Sequence, residues 1–301
     1  MVRLITLDKN WYLQSSAHVQ LAGNEISKPS FKTTGWIPAT VPGTVLGALT
    51  KAGKVPDLRI GENINRIPGF KGGMDLHTLR DMPADSPYRQ GWWFRKIFTA
   101  NKPGHKQRIW LNLEGINYRA NVWVNGWRVG TAGHIKSHFR SFRLDVTRLI
   151  RTGRNCVALE IFAPQFDDFG HTWIDWCPEP PDGSMGIFQP VQLETTGLVV
   201  IRDPFVETDL NTATLKQAKL TIHATVINTA DRPITVTLRA KIGSLIICKK
   251  LHLARREIRP VVLPTQIIKN PRVWWPWQLG KQELYVLDLS VTEGNRVSHR
   301  Q

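Results

Sequence analysis

An all-β fold in two sandwiches is what this sequence predicts, and three observations carry it. From about residue 105 onward, stretches rich in Val, Ile, Leu, Phe and Trp are broken roughly every 8 to 12 residues by Gly, Asn, Asp or Pro, the spacing of strands and turns in a sandwich. Leu220, Ile222, Ala224 and Val226 alternate with Thr221, His223 and Thr225, as a strand with one wet face requires. The third is size. The 301 residues, 42% hydrophobic and only 21% charged, are enough for about two domains with substantial cores.

The elements follow in chain order. Thr44 is placed to cap a short helix whose apolar face is Val45, Leu46 and Leu49, and which Gly53 can end in the left-handed conformation. This helix should cover a sandwich edge. Val122-Trp123-Val124, Asn125-Gly126 and Trp127-Arg128-Val129 read as a hairpin, because Asn-Gly accepts the positive φ angles of a type I′ turn. Near Ile201-Arg202-Asp203-Pro204 the chain enters a run poorer in aromatics and strictly alternating, which places a domain boundary there: a large β domain at 1–200 and a smaller sandwich at 201–301. Leu284 to Val291 reads as a strand, and a short last strand is expected after the turn at Glu293-Gly294-Asn295.

Several function classes are disfavoured. The longest apolar runs, such as Leu198 to Ile201 and Leu245 to Cys248, are far shorter than the roughly 18 residues of a membrane span. Met1 to Asn10 lacks the apolar stretch of a secretion signal, and Cys156, Cys177 and Cys248 are neither paired in number nor spaced as a metal knuckle, so the expected setting is the cytoplasm. His134 and His138 flank a strand-like segment without Glu or Cys companions, so no metal or other cofactor is expected. A net charge of +16 raises the alternative of a basic module binding nucleic acid or another polyanion. The basic run Arg239, Lys241, Lys249, Lys250, Arg255, Arg256 and Arg259 is not interleaved with aromatics as a stacking platform would be, and reads as a solvated strand face.

Against that basic background, Gln165 to Gly186 holds Asp167, Asp168, Asp175, Glu179 and Asp182 and no Lys or Arg. Trp173, Trp176, Pro178, Pro180 and Pro181 make it stiff and aromatic. Carboxylates beside indole faces suit sugar recognition, since carboxylates accept hydroxyl hydrogens and rings cover the apolar face of a pyranose. A rigid edge-covering loop with packed Trp residues fits the same composition.

The sequence resembles the N-terminal part of glycoside hydrolase family 2 enzymes. The likeness is carried in order by Gly35-Trp36-Ile37-Pro38-Ala39-Thr40-Val41-Pro42-Gly43-Thr44, Trp92-Trp93-Phe94-Arg95-Lys96, Gly115-Ile116-Asn117-Tyr118, Val122-Trp123-Val124-Asn125-Gly126, Phe142-Arg143-Leu144-Asp145-Val146-Thr147, Met185-Gly186-Ile187-Phe188 and Trp274-Trp275-Pro276-Trp277-Gln278-Leu279-Gly280. Asp175-Trp176 through Met185-Gly186-Ile187 is most similar to the exo-β-D-glucosaminidase and β-mannosidase branch. The resemblance implies a jelly-roll sugar-binding domain followed by an immunoglobulin-like sandwich. It also implies that Asp175, Trp176 and Asp182 contact the terminal β-linked sugar of an oligosaccharide in an active site completed by a catalytic barrel. Such a barrel needs about 250 residues, and two sandwiches leave no room for it here. The family's Asn-Glu pair has its only counterpart at Asn24-Glu25, in a polar turn. No catalytic residue is therefore expected, and a module docking on a separate barrel is a further alternative.

Overall fold

The computed structural model describes residues 3–70, 82–165, 167–169 and 179–301. The chain divides into two compact units, the first made of Leu4–Gly104 with Ile109–Glu194, the second of His105–Arg108 and Thr195–Gln301 together with Arg3. The regular structure of both is mostly strand, as expected, and among the described residues no helix is long and apolar enough to cross a membrane.

The first unit stacks a six-stranded and a four-stranded sheet. The larger runs, in spatial order, Ile37–Ala39, Trp11–Ser15, Trp92–Ala100, Gly153–Phe162, Arg119–Val124 and Trp127–Gly130. The smaller runs Arg3–Thr6, Val191–Thr196, Arg108–Leu113 and Phe142–Asp145. Trp11, Leu13, Phe94, Val122, Leu159 and Ile161 from the first meet Leu111, Leu113, Val191 and Leu193 from the second in one core. The sheet thus begins well before residue 105. Its central strand hid from period-two reading because both faces are covered: Trp92, Phe94 and Phe98 enter the main core while Trp93 packs outside with Ile26, Trp36 and Ala158.

The cover over that outer face is the segment around a four-residue helix, Gly23–Ile26. Asn24-Glu25 therefore lies in a helical turn, where Glu25 pairs with Lys28 at 2.7 Å. Gly23 is required for this docking, since a Cβ there would sit 2.3 Å from the Trp123 ring. Arg95, 2% exposed, donates through Nε to the Ile26 carbonyl at 2.7 Å and through Nη2 to the Lys28 carbonyl at 2.8 Å.

The predicted helix is present at Val45–Lys51. Thr44 accepts from the Gly47 N–H at 3.0 Å, Val45, Leu46 and Leu49 are buried, and Gly53 follows at φ +66°. The predicted hairpin is present too, with Asn125 and Gly126 at φ 51° and 93° joining its strands. His134 to His138 is loop rather than strand, touching the sheet by one bridge between Lys136 and Arg119.

In the second unit Gln217–Asn228 pairs on one side with Val199–Leu210 and on the other with Ile258–Val262 and Gln266–Lys269. The facing sheet runs Leu245–Leu253, Ile234–Ile242, Leu287–Glu293 and Arg296–Arg300. Leu220, Ile222, Ala224 and Val226 point into the core as their alternation predicts, meeting Val236, Leu238, Leu251 and Val291. The strand read from Leu284 starts only at Leu287. Leu284, Tyr285 and Val286 are apolar but exposed, and hydrophobicity without alternation could not reveal that.

Candidate functional site

The segment singled out by its acidity lies between the strand Gly153–Phe162 and the two-residue strand Gly186–Ile187. Its two feet are both described. At the first, Asp168 forms an ion pair with Arg119 and accepts the Gln165 N–H at 2.7 Å. The Tyr118 hydroxyl donates to the Phe169 carbonyl at 3.0 Å. The Arg119 guanidinium also lies over the Tyr118 ring, 5.3 Å from its centroid. Asp168 is thus engaged by Arg119 and by the Gln165 N–H.

At the second foot, Asp182 is 1% exposed. One carboxylate oxygen accepts the Leu46 N–H at 2.9 Å, in the first turn of the helix Val45–Lys51, and the other accepts the Ser184 N–H at 3.0 Å. Burial outweighs these hydrogen bonds and pushes its pKa up to about 6. Asn117 grips the same turn from the other side, its amide donating to the carbonyls of Gly183 and Ser184, both at 2.9 Å. Its backbone exchanges two hydrogen bonds with Gly186, at 2.9 and 2.7 Å. The Asn117 Oδ1 has no hydrogen-bond partner among the described residues.

The Met185-Gly186-Ile187 motif has a steric reason. Gly186 and Ile187 pair with Thr44 and Gly43, and a Cβ on Gly186 would lie 2.4 Å from the Gly43 carbonyl oxygen. Beside this foot the His138 ring packs on Phe188 at 4.9 Å and on Phe139 at 5.0 Å, with Phe139 exposed. Among the described residues no three His, Cys, Asp or Glu side chains gather as a metal site would require. A separate groove of 530 Å³ between Ile37–Thr40 and Lys51–Lys54 has no carboxylate on its walls and does not include the candidate residues.

Of the three residues singled out from the sequence, Asp182 is placed at the second foot, turned inward. Asp175 and Trp176 lie outside the described residues. The residues that secure the feet, Asn117, Tyr118, Arg119 and Asp168, were not read as site residues. The motif Gly115-Ile116-Asn117-Tyr118 contains two of them, and Asp168 belongs to the acidic segment.

Residues 81–168 match the family profile described as glycosyl hydrolase 2 galactose-binding domain-like, and residues 199–301 match that of glycosyl hydrolases family 2. The chain belongs to glycoside hydrolase family 2. It is similar to an exo-β-D-glucosaminidase of Streptomyces avermitilis, 33% identical over 293 residues that make up 95% of this chain and 30% of the relative. A mannosylglycoprotein endo-β-mannosidase of Lilium longiflorum is 26% identical over 95% of this chain and 32% of its own length. The crystal structure of the Amycolatopsis orientalis exo-chitosanase CsxA superposes with a TM-score of 0.88 at 30% identity, covering 99% of this chain and 33% of that one. That exo-chitosanase has also been solved in complex with PNP-β-D-glucosamine. This chain thus spans about a third of the length of the relatives it matches, and corresponds to the family's N-terminal β domains. No catalytic barrel is found among the described residues.

Proposed function

We propose that this chain is the non-catalytic, sugar-contacting part of a family 2 exo-glycosidase of the exo-β-D-glucosaminidase and β-mannosidase kind, acting on the terminal β-linked sugar of an oligosaccharide. The observation that supports this reading is the match of 95% of this chain to 30% of an exo-β-D-glucosaminidase at 33% identity. Retaining hydrolysis needs two carboxyl groups about 5 to 5.5 Å apart across the scissile bond. The described candidates are committed elsewhere: Asp168 to Arg119, Asp182 to backbone N–H groups, Glu25 to Lys28. That supports contact rather than bond cleavage.

In this reading Asp175 and Trp176 meet the sugar, and Asp182, with Asn117, fixes the end of the segment that carries them. An amino sugar is a cation, which the +16 charge repels at long range, while the acidic segment attracts its ammonium at short range. The purified chain should hydrolyse aryl β-glucosaminide, β-mannoside and β-galactoside no faster than a buffer blank. Saturation-transfer NMR should detect glucosamine or mannose binding that D175A and W176A weaken. Turnover that is abolished by replacing one acidic side chain would overturn the proposal.

A further inference from the structure

We propose that the 530 Å³ groove of the first unit binds a monosaccharide that carries a negative charge, as a carboxylate or a phosphate. The inference goes beyond the proposed function and stands without it. The groove shares no residue with the acidic segment or with the turn that Asp182 and Asn117 hold. Its volume falls within the roughly 300 to 1,000 Å³ of small-molecule sites.

Both walls are fixed by the fold. One is the strand Ile37–Ala39 with its neighbours Trp36 and Thr40, and Trp36, 8% exposed, packs with Ile26, Trp93 and Ala158. The other is the end of the helix Val45–Lys51, whose Leu46 and Leu49 sit in the main core. The turn after that helix closes on itself: the N–H groups of Ala52, Gly53 and Lys54 donate to the carbonyls of Ala48, Thr50 and Leu49 at 3.0, 2.9 and 2.9 Å. Free carbonyls at a helix C-terminus would repel an anion, and here these three are occupied. A site whose walls are already in place loses little entropy on binding.

The helix wall decides the charge of the ligand. Lys51 and Lys54 bring two exposed ammonium groups to the groove, and among the described residues neither has an acidic partner. With no carboxylate on the walls, nothing inside the groove cancels their field. The sheet wall decides the rest. Ile37–Ala39 is an edge strand, pairing only with Trp11–Ser15. Its middle residue, Pro38, lies opposite Tyr12 and has no N–H to give, so in an antiparallel ladder its backbone faces the open edge. That edge offers the Pro38 carbonyl without an N–H beside it, which discourages a further strand but accepts a hydroxyl. The exposed Thr40 hydroxyl can donate and accept. An anionic group for two lysines, hydroxyls for Pro38 and Thr40, and an apolar ring face against Ile37 together describe a sugar acid or a sugar phosphate.

Calorimetric titration of the full chain with glucuronate and with glucose 6-phosphate tests this, against glucose and inorganic phosphate. At least one acid should bind at one equivalent per chain, weaken as salt rises from about 50 to about 500 mM, and shift the Trp36 indole and Ala52 amide signals in an NMR spectrum. Which acid binds separates carboxylate from phosphate. K51A with K54A should weaken binding at least about tenfold at an unchanged melting temperature, because both side chains lie in solvent. K241A with K250A, in the second unit, should leave it unchanged, which separates a site from diffuse attraction by the +16 charge. Excess glucosamine should not compete, since its ammonium meets no acid on these walls. Binding that survives K51A with K54A, displacement by glucosamine, or no binding of either acid at about 10 mM overturns the proposal. Inorganic phosphate or glucose binding as tightly as the charged sugars overturns it as well. A hexaglutamate peptide that binds more tightly than both acids would reassign the groove to an acidic protein segment.

Discussion

Asp182 shows how much a single carboxylate can settle. Its oxygens satisfy backbone N–H groups in two separate parts of the chain, at Leu46 and Ser184, from a position 1% exposed. Held near a pKa of about 6 instead of its ordinary 3.8, the group binds its proton more tightly folded than unfolded. Its contribution to stability is therefore full below 3.8 and is lost as pH rises through 6. Between pH 7.5 and pH 5 the first unit should gain about 1.5 kcal/mol from this group. Urea melts of wild type and D182N across that range should diverge by that amount, the wild type gaining relative to the variant as pH falls; parallel curves would show that Asp182 does not titrate there. A sequence reader sees an acidic residue beside Pro and Gly and cannot see this, because burial is decided by Leu46, 136 positions away. Asn125 divides in the same way. Its place in an Asn-Gly turn was legible, but not its side chain, which donates to the Leu149 carbonyl and to Asn155 and accepts the Cys156 N–H, all at 2.8 Å. N125A removes all three bonds and strains a residue at φ 51°, so it should cost about 3 kcal/mol in a urea melt. A loss below about 1 kcal/mol would mean that water replaces the side chain.

At the scale of elements, what was legible is what repeats. Alternation located the strand that carries Leu220 to Val226, and cap chemistry located the helix Val45–Lys51, because each pattern recurs over several residues. The segment covering the outside of the six-stranded sheet has no such repeat: it is held by Arg95, whose guanidinium grips the Ile26 and Lys28 carbonyls and lies 5.4 Å from the Phe31 ring centroid. Burial pulls the Arg95 pKa below its ordinary value, yet the hydrogen bonds keep the cation in place. R95M keeps the bulk and leaves two carbonyls without their donors, at a cost of about 3 kcal/mol. Amide exchange should read that loss locally. Protection of Ile26 and Trp36 should collapse well before that of Leu49 and Ala52, whose helix Arg95 does not touch. Equal loss at both would make Arg95 a support of the whole unit rather than of its cover.

For the whole molecule, the question is what a net charge of +16 does. The basic run of the second unit is largely answered from within: Arg255 and Arg256 pair with Asp231 at 3.3 and 3.0 Å, Arg259 with Glu257 at 2.6 Å, and the Lys249 ammonium donates to the Val262 carbonyl at 3.0 Å. Lys241 and Lys250 stay in solvent on neighbouring strands, too few to track a phosphate backbone. Those pairings hold the carboxyls of Asp231 and Glu257 below their ordinary range, so the acids keep their charge at any pH near neutral. Any attraction to DNA should then be diffuse and shallow. Affinity for a duplex, measured by fluorescence anisotropy from 50 to 200 mM salt, should fall with a log–log slope of about −3 or less in magnitude. A slope of about −7, relieved by K241A with K250A, would require a concentrated phosphate-contacting face and would restore the polyanion reading.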